Sequence, residues 1–468
     1  MAKKKTRTKT SKKKRGSTKK KKTAIKKKPL RRSSKKKKSP SRQSSQKKKK
    51  KTSPTKARLS SQKKLKKTAS VKKPAVASPQ KAAKAQEAAR PALSMTQAYK
   101  QFQEVWNPSS ENFIAGLKKL FSLYEAPGKS AEEKEKNSAM IIEKIESGLR
   151  KEPVPDEILK ELAERFPEQR VRQIASICSL KPRSSIRVNS LRVDIQGFAH
   201  SKAGADLKVK RCQFSPWGFD VGSGLNPIQH PLYERGFFEI EDEASQIMAL
   251  MTNARPGHRV LDLCAREGDH TLNLACMMKN KGSLFVYDAD PSKLKVLKAR
   301  AQRAGVENIR ILSDAQVAEV KSLDVVLVDS PSSSSGMVAR QPELKWRFKR
   351  EDLPKIQRLQ AALLREAARK LKLGGHLIYA TSSLNRSENE AQIENFLKSA
   401  HNSYRLVAAS EHLRQYVLPF VQNHYGLEWK EDKLAGLLEF DPFLVLAPDL
   451  HGCNGLFLAI LERTRISS

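Results

Sequence analysis

Between residues 259 and 380 short apolar runs alternate with longer segments whose apolar positions recur every three or four residues. The runs at 259–263, 283–287, 308–312, 323–328 and 376–380 have the length and texture of buried strands, and 272–279, 291–304 and 353–371 carry the helical period. Strands alternating with helices predict parallel βαβ units, and so a doubly wound α/β sheet covered on both faces. The runs at 440–446 and 456–461 are expected to close it. Upstream, Tyr99, Phe102, Val105 and Trp106, then Phe113, Leu117, Leu120, Phe121 and Tyr124, then Ile141, Ile142, Ile145 and Leu149, fall at helical spacing. A different texture follows, with SIRVNSLRV and a Pro/Gly-rich stretch through Trp217 and Gly224, which predicts a small α+β unit. The expected organisation is a tail over 1–90, a helical region over 91–181, the small unit over 182–235 and the main α/β domain over 236–468.

The chemistry is expected where strands end. The first strand closes on Asp262 and leads through LDLCAREGDHT, a loop holding Cys264, Ala265, Arg266, Glu267, Gly268, Asp269 and His270, into a helix. In a doubly wound sheet that turn is where a ligand binds. Asp288 follows the second strand about 20 residues after the glycine-bearing loop, where a carboxylate accepts ribose hydroxyls. Asp314 follows the third strand and Asp329 the fourth. One strand-end aspartate reads as a helix cap. Three on one rim point to a nucleoside pocket.

Charge divides the chain in two. Residues 1–90 hold 39 Lys and Arg and one acid, Glu87, for a net of +38 out of the +44 of the whole chain. Such a segment buries too little apolar surface to offset its chain entropy, so disorder is expected until a polyanion neutralises it. Lysine runs bind phosphate backbones without sequence preference and with steep salt dependence. The tail resembles the lysine-rich tails of linker histones. The remaining residues carry only +6, although Arg183, Arg187, Arg192, Lys208, Lys210 and Arg211 make the small unit basic. Either a solvated strand face or an RNA contact explains them. No apolar run approaches the roughly 20 residues of a bilayer span, and the five scattered cysteines lack metal-ligand spacing. A metal-free, cytoplasmic, nucleic-acid-associated monomer is expected, nuclear or nucleolar if the source is eukaryotic.

Several long motifs stand in order: GFFEIEDEASQ (236–246), LDLCAREGDHT (261–271), FVYDAD (285–290), VDSPSSSSGMVARQPELKW (328–346), IQRLQAALLREAARKLKLGGHLIYATSS (356–383) and ENEAQIENFL (388–397). Together they resemble the Sun/Fmu (RsmB/NOP)-type RNA cytosine-5 methyltransferases, from about residue 186 to the end of the chain. The resemblance implies a Rossmann-like methyltransferase sheet, S-adenosylmethionine as cofactor and an rRNA- or tRNA-type substrate. It also implies two cysteines: one at the end of the YAT strand that attacks the cytosine ring, and one after the fourth strand that assists product release. Here these positions are Ser382 and Ser332.

A thiol gives some thiolate at neutral pH, whereas a serine hydroxyl needs a base held against it. The YAT and DSP segments contain no His or Lys, leaving His270 and His376 to approach through the fold. Where the family has Pro-Gly-Gly-Lys, this chain has Glu267, Gly268, Asp269 and His270. Two carboxylates near the donor's own carboxylate are expected to weaken or abolish its binding, and a side chain at Asp269 to obstruct the approach that glycine permits. The favoured reading is an RNA-binding protein on this scaffold that has lost cytosine-5 chemistry. The alternatives are an active RNA methyltransferase with altered chemistry and a chromatin- or nucleoid-associated, histone-like protein. Arg187, Arg340, Lys345 and Arg347 are the expected RNA contacts, with Trp346 packed in the core or stacked on a base.

Overall fold

The structure, a computed structural model, describes residues 148–400 and 402–465. The tail expected over 1–90 and the helical positions from Tyr99 to Ile145 lie outside the described residues. Two short helices come first, α1 (Asp156–Ala163) and α2 (Glu168–Ile177), each entered through a proline. A proline at that place gives up an N–H that the helix end does not use. Ile158, Leu162, Val171 and Ile174 pack these helices onto the core.

The next strands are β1 (Ser185–Val188), β2 (Lys210–Arg211), β3 (Gly218–Asp220) and β4 (Phe238–Ile240). They form an antiparallel sheet in the order β2-β3-β1-β4. Ile186 and Val188 of β1 pack with Phe198, Trp217, Phe219 and Phe238. Arg187, between them, is also buried and pairs with Glu241. A second Arg187 nitrogen lies 3.4 Å from Cys276, on a helix of the main domain. This arginine is therefore an internal tie between the two sheets, not the RNA contact that its charge suggests.

The main domain runs α3 (Glu243–Met251), β5 (Arg259–Asp262), α4 (Asp269–Met277), β6 (Ser283–Val286), α5 (Pro291–Ala304), β7 (Ile309–Ile311), α6 (Asp314–Glu319), β8 (Leu323–Asp329), α7 (Leu353–Lys370) and β9 (Leu371–Thr381). It continues through α8 (Glu390–Ser399), β10 (Tyr404–Val407), α9 (Leu418–Tyr425), α10 (Glu431–Leu437), β11 (Leu444–Leu446) and β12 (Leu456–Arg463). The strand order is β10-β12-β9-β8-β5-β6-β7, with β11 also on β12. The pairs β5–β6, β6–β7, β5–β8 and β8–β9 are parallel, and β12 runs antiparallel to β9. Along β8, Val325 and Leu327 enter one hydrophobic cluster while Val326 and Val328 enter the other, so the sheet is covered on both faces.

The Rossmann-like α/β fold read from the alternation is present, with local differences. Helix α4 starts at Asp269, three residues before the apolar period, because Gly268 sits in the left-handed region (φ 97°) and ends the loop there. Strand β9 begins five residues early, across Gly374 and Gly375; a Cβ at Gly375 would meet the Leu323 carbonyl at 2.8 Å. The expected strand 440–446 contracts to β11, and helices fill much of 409–437 where no period was read. Among the described residues no helix is long and apolar enough to cross a membrane.

Candidate active site

Chain order reverses between β5 and β8: from β5 the chain winds out through β6 and β7, then returns to place β8 on the other side of β5. A crevice opens at such a switch point, beyond the carboxyl ends of the strands. Here it is lined by Cys264 and Arg266 after β5, Tyr287 and Asp288 after β6, Asp329 to Ser332 after β8, and Ser382 after β9.

The β5–α4 loop is set by its backbone. Ala265 donates its N–H to the Tyr287 carbonyl (3.0 Å), and Gly268 donates to Ala265 (2.9 Å). A Cβ on Gly268 would meet Leu297 at 2.8 Å, so this glycine is required by space as well as by its φ. Arg266 is also left-handed (φ 51°) and donates its N–H to Asp288 (2.8 Å). The other Asp288 oxygen accepts from the Asp290 N–H (2.8 Å), which fixes the carboxylate at the rim of the crevice. Asp314 is exposed, accepts from the Tyr287 hydroxyl (3.1 Å) and does not line the crevice itself.

Asp329 sits at the centre, buried, with His270 Nε2 and an Arg266 guanidinium nitrogen each 3.4 Å from the same oxygen. Burial works to raise its carboxyl, but the hydrogen bond from His270 and the Arg266 charge outweigh that and hold it below the usual carboxylate range. For His270 burial favours the neutral ring, yet Asp329, Asp262 and Glu241 together push its pKa up to about 9. His270 is therefore a buried cation at neutral pH. Asp262, behind it, accepts from the Thr271 hydroxyl (2.6 Å) and is pushed by burial up to about 6.

The repulsion expected from Asp269 is largely compensated. Its carboxylate lies 2.7 Å from Arg300 of α5, which also binds Glu239 (3.0 Å) and the Glu267 carbonyl (3.0 Å). Asp269 has an ordinary helical φ as the first residue of α4, so its backbone does not need glycine. Glu267 remains exposed.

Ser332 and Ser382 line one crevice, and Ser382 also lines the adjoining cleft with Asp242, His270 and Arg340. The Ser332 hydroxyl accepts from the Ser334 N–H (3.3 Å). Among the described residues no hydrogen bond joins either hydroxyl to a base. His376 lies six residues back along β9 from Ser382, against His412 and Tyr416.

The loops bearing the two serines are tied together by Glu388, which the sequence offered only as the first letter of a motif. Its buried carboxylate accepts from the Ser333 N–H (2.8 Å) and hydroxyl (2.5 Å), Ser383 (2.6 Å), Asn385 (3.0 Å) and Gln360 (3.1 Å).

The expected RNA contacts fare unevenly. Lys345 is buried and donates to the carbonyls of Leu149, Arg150 and Glu152 (3.3, 3.1 and 2.5 Å). Arg340 pairs with Asp242 at the lip of the cleft (3.0 Å), and Arg347 lies 4.0 Å from Glu343. Trp346 is exposed, so packing in the core is not its role.

Residues 249–462 match the family described as 16S rRNA methyltransferase RsmB/F. This part of the chain is similar to the RsmB/F methyltransferases, as the ordered motifs imply. Among its relatives, the probable ribosomal RNA small subunit methyltransferase B of Bacillus subtilis (strain 168) is 29% identical over 314 residues, 66% of each chain. The ribosomal RNA small subunit methyltransferase F of Escherichia coli O1:K1 / APEC is 27% identical over 322 residues, 66% of this chain and 64% of that one. The matched part spans about two thirds of the length of these relatives. The crystal structure of PH0851 superposes with a TM-score of 0.57 at 26% identity, covering 72% of this chain and 69% of that one.

The RsmB/F family is S-adenosylmethionine-dependent, and the crevice offers groups suited to that molecule. Asp288 stands at the rim for a ribose, and the first N–H groups of α4 carry no side-chain cap.

Proposed function

We propose that this protein binds rRNA- or tRNA-type RNA and S-adenosylmethionine on the RsmB/F fold but does not methylate cytosine at carbon 5 through a covalent adduct. What supports this is the pair Ser332 and Ser382, which line one crevice and stand where the resemblance puts the family's two cysteines. A bound donor supplies an electrophilic methyl group. The chain's own residues then have to supply a nucleophile to activate the base, and a serine hydroxyl without a base held against it is a poor one. His270 does not fill that role, because at neutral pH its ring is the protonated counter-ion of Asp329 and has no lone pair free to take the serine proton. Residues 1–90 add sequence-independent affinity for phosphate backbones through their +38 charge. Together these features describe a nucleic-acid-associated protein with the tail as anchor and the folded part as reader of RNA.

A second reading, methyl transfer to another atom, draws on the retained polar crevice. Asp288 and the Asp329–His270 pair remain in place, although two cysteines and the family's lysine are gone. Incubating the protein with labelled S-adenosylmethionine and total RNA from its own cells, and mapping any label to base and atom, decides between them. No label with measurable donor binding supports the first reading. Label at an atom other than cytosine carbon 5 supports the second.

A further inference from the structure

Trp346 is 44% exposed, whereas Trp217 and Trp429 are 1% and 8% exposed. Its outward position is fixed by its neighbours. The single turn Leu344–Arg347 is fastened by Leu344 and Phe348, both buried, and by the Lys345 ammonium donating to three carbonyls around residue 150. Anchored on both sides of the indole, the turn cannot fold Trp346 inward without breaking those contacts.

The stretch of chain that bears the ring is cationic and carries no other exposed large apolar side chain. From Arg340 to Arg350 there are five Lys and Arg against one acid, Glu343. Between residues 312 and 372 no other large apolar side chain is exposed. Arg350 is committed to Glu161 and Glu164, and Arg340 to Asp242. Lys349 is exposed and has no ion pair among the described residues. A protein partner needs contiguous apolar area. A lone rigid ring with a free cation three residues away instead suits a nucleic-acid base with its phosphate, since every base offers a π-face and stacking on an aromatic side chain is tolerant of sequence. The stretch also begins at Arg340, on the lip of the cleft that holds Ser382.

We propose that Trp346 is a stacking platform for an unpaired base of RNA lying outside the cleft, with Lys349 on the adjoining phosphate. The proposal rests on the RNA-binding reading above and names a contact for it.

The test uses the full chain and a fluorescent single-stranded oligoadenylate of about 12 nucleotides, with binding measured across a salt series that extends beyond about 0.4 M, where lysine-tail attraction has collapsed. Trp346→Ala is expected to lower affinity about 5- to 100-fold at every salt concentration without changing the log–log slope, because stacking releases no counterions. Trp346→Phe should retain most of the affinity. Lys349→Gln should reduce the slope by about 0.7. Unchanged affinity for Trp346→Ala at high salt, or a loss that appears only as a change of slope, overturns the platform while leaving RNA binding intact. Failure of the unaltered protein to bind RNA in preference to duplex DNA overturns the RNA reading itself. A change in molecular mass of Trp346→Ala by light scattering, with RNA affinity retained, assigns the ring to protein contact and overturns the proposal.

Discussion

Replacing His270 isolates the strongest electrostatic feature of the crevice. Its ring is 7% exposed on the side chain, so solvent screens its contact with Asp329 little. The folded-state pKa of about 9 stands above the ordinary 6.5. A raised value means that the charged ring stabilises the fold fully below pH 6.5, and that this contribution is lost as pH rises through 9. A shift of that size corresponds to about 3 kcal/mol, lost at about 1.4 kcal/mol per pH unit. Most of the window is clear of the nearest competitors: Asp262, pushed up to about 6, is half-ionised there and completes its titration about one pH unit higher, the Cys178 thiol is pushed up to about 11, and His258, His376, His412 and His451 are all shifted down by burial. Urea unfolding of the protein and of His270→Lys, whose charge persists through pH 9, cancels the groups common to both. The stability of the unaltered protein relative to His270→Lys should fall by about 3 kcal/mol between pH 6.5 and 9.5. A difference that stays constant over that range would refute the charged-histidine argument.

Removing residues 1–90 should flatten the salt dependence of nucleic-acid affinity, because +38 of the charge goes with them; equal slopes by filter binding would reject the tail as the main anchor. Glu388→Ala leaves five donors without their acceptor and should cost at least about 3 kcal/mol in thermal or urea unfolding; a change under about 1 kcal/mol would mean that the serine loops hold without it. Arg300→Ala uncovers the Asp269 charge beside the cofactor loop. Calorimetric titration with S-adenosylmethionine should then show affinity reduced severalfold, and unchanged affinity would show that the Asp269 charge is not felt at the donor site.

The architecture was legible because buried parallel strands and amphipathic helices leave different periods. Val325 to Val328 read as a strand, and Leu359, Leu363 and Leu364 as one helical stripe, without any partner being known. The rim acids were legible for the same reason, since a strand's end locates its aspartate: Asp288 and Asp329 stand in the crevice. What failed was reading charge as exposure. Arg187 and Lys345 are buried against Glu241 and three carbonyls, and those partners are 54 and nearly 200 residues away in sequence. Trp346 fails in the opposite sense, since an indole reads as core and here stands in solvent. The offset at Asp269 was equally hidden, because Arg300 reaches it only through the packing of α5 against the loop. Helices across 409–437 mix buried and exposed apolar residues in short pieces, including a π turn at Leu413–Val417, so no single period emerges.

Whether this protein places a methyl group on carbon 5 of cytosine can be assayed directly. Purified protein, methyl-labelled S-adenosylmethionine and total RNA from its own cells are incubated, and the RNA is digested and resolved to nucleosides. No label is expected at carbon 5 of cytosine. Ser332→Cys, Ser382→Cys and a restored Pro-Gly-Gly-Lys loop at residues 267–270, combined in one chain, are expected to be the minimum needed to place label there. Label at cytosine carbon 5 from the unaltered protein, abolished by Ser382→Ala, would contradict that expectation.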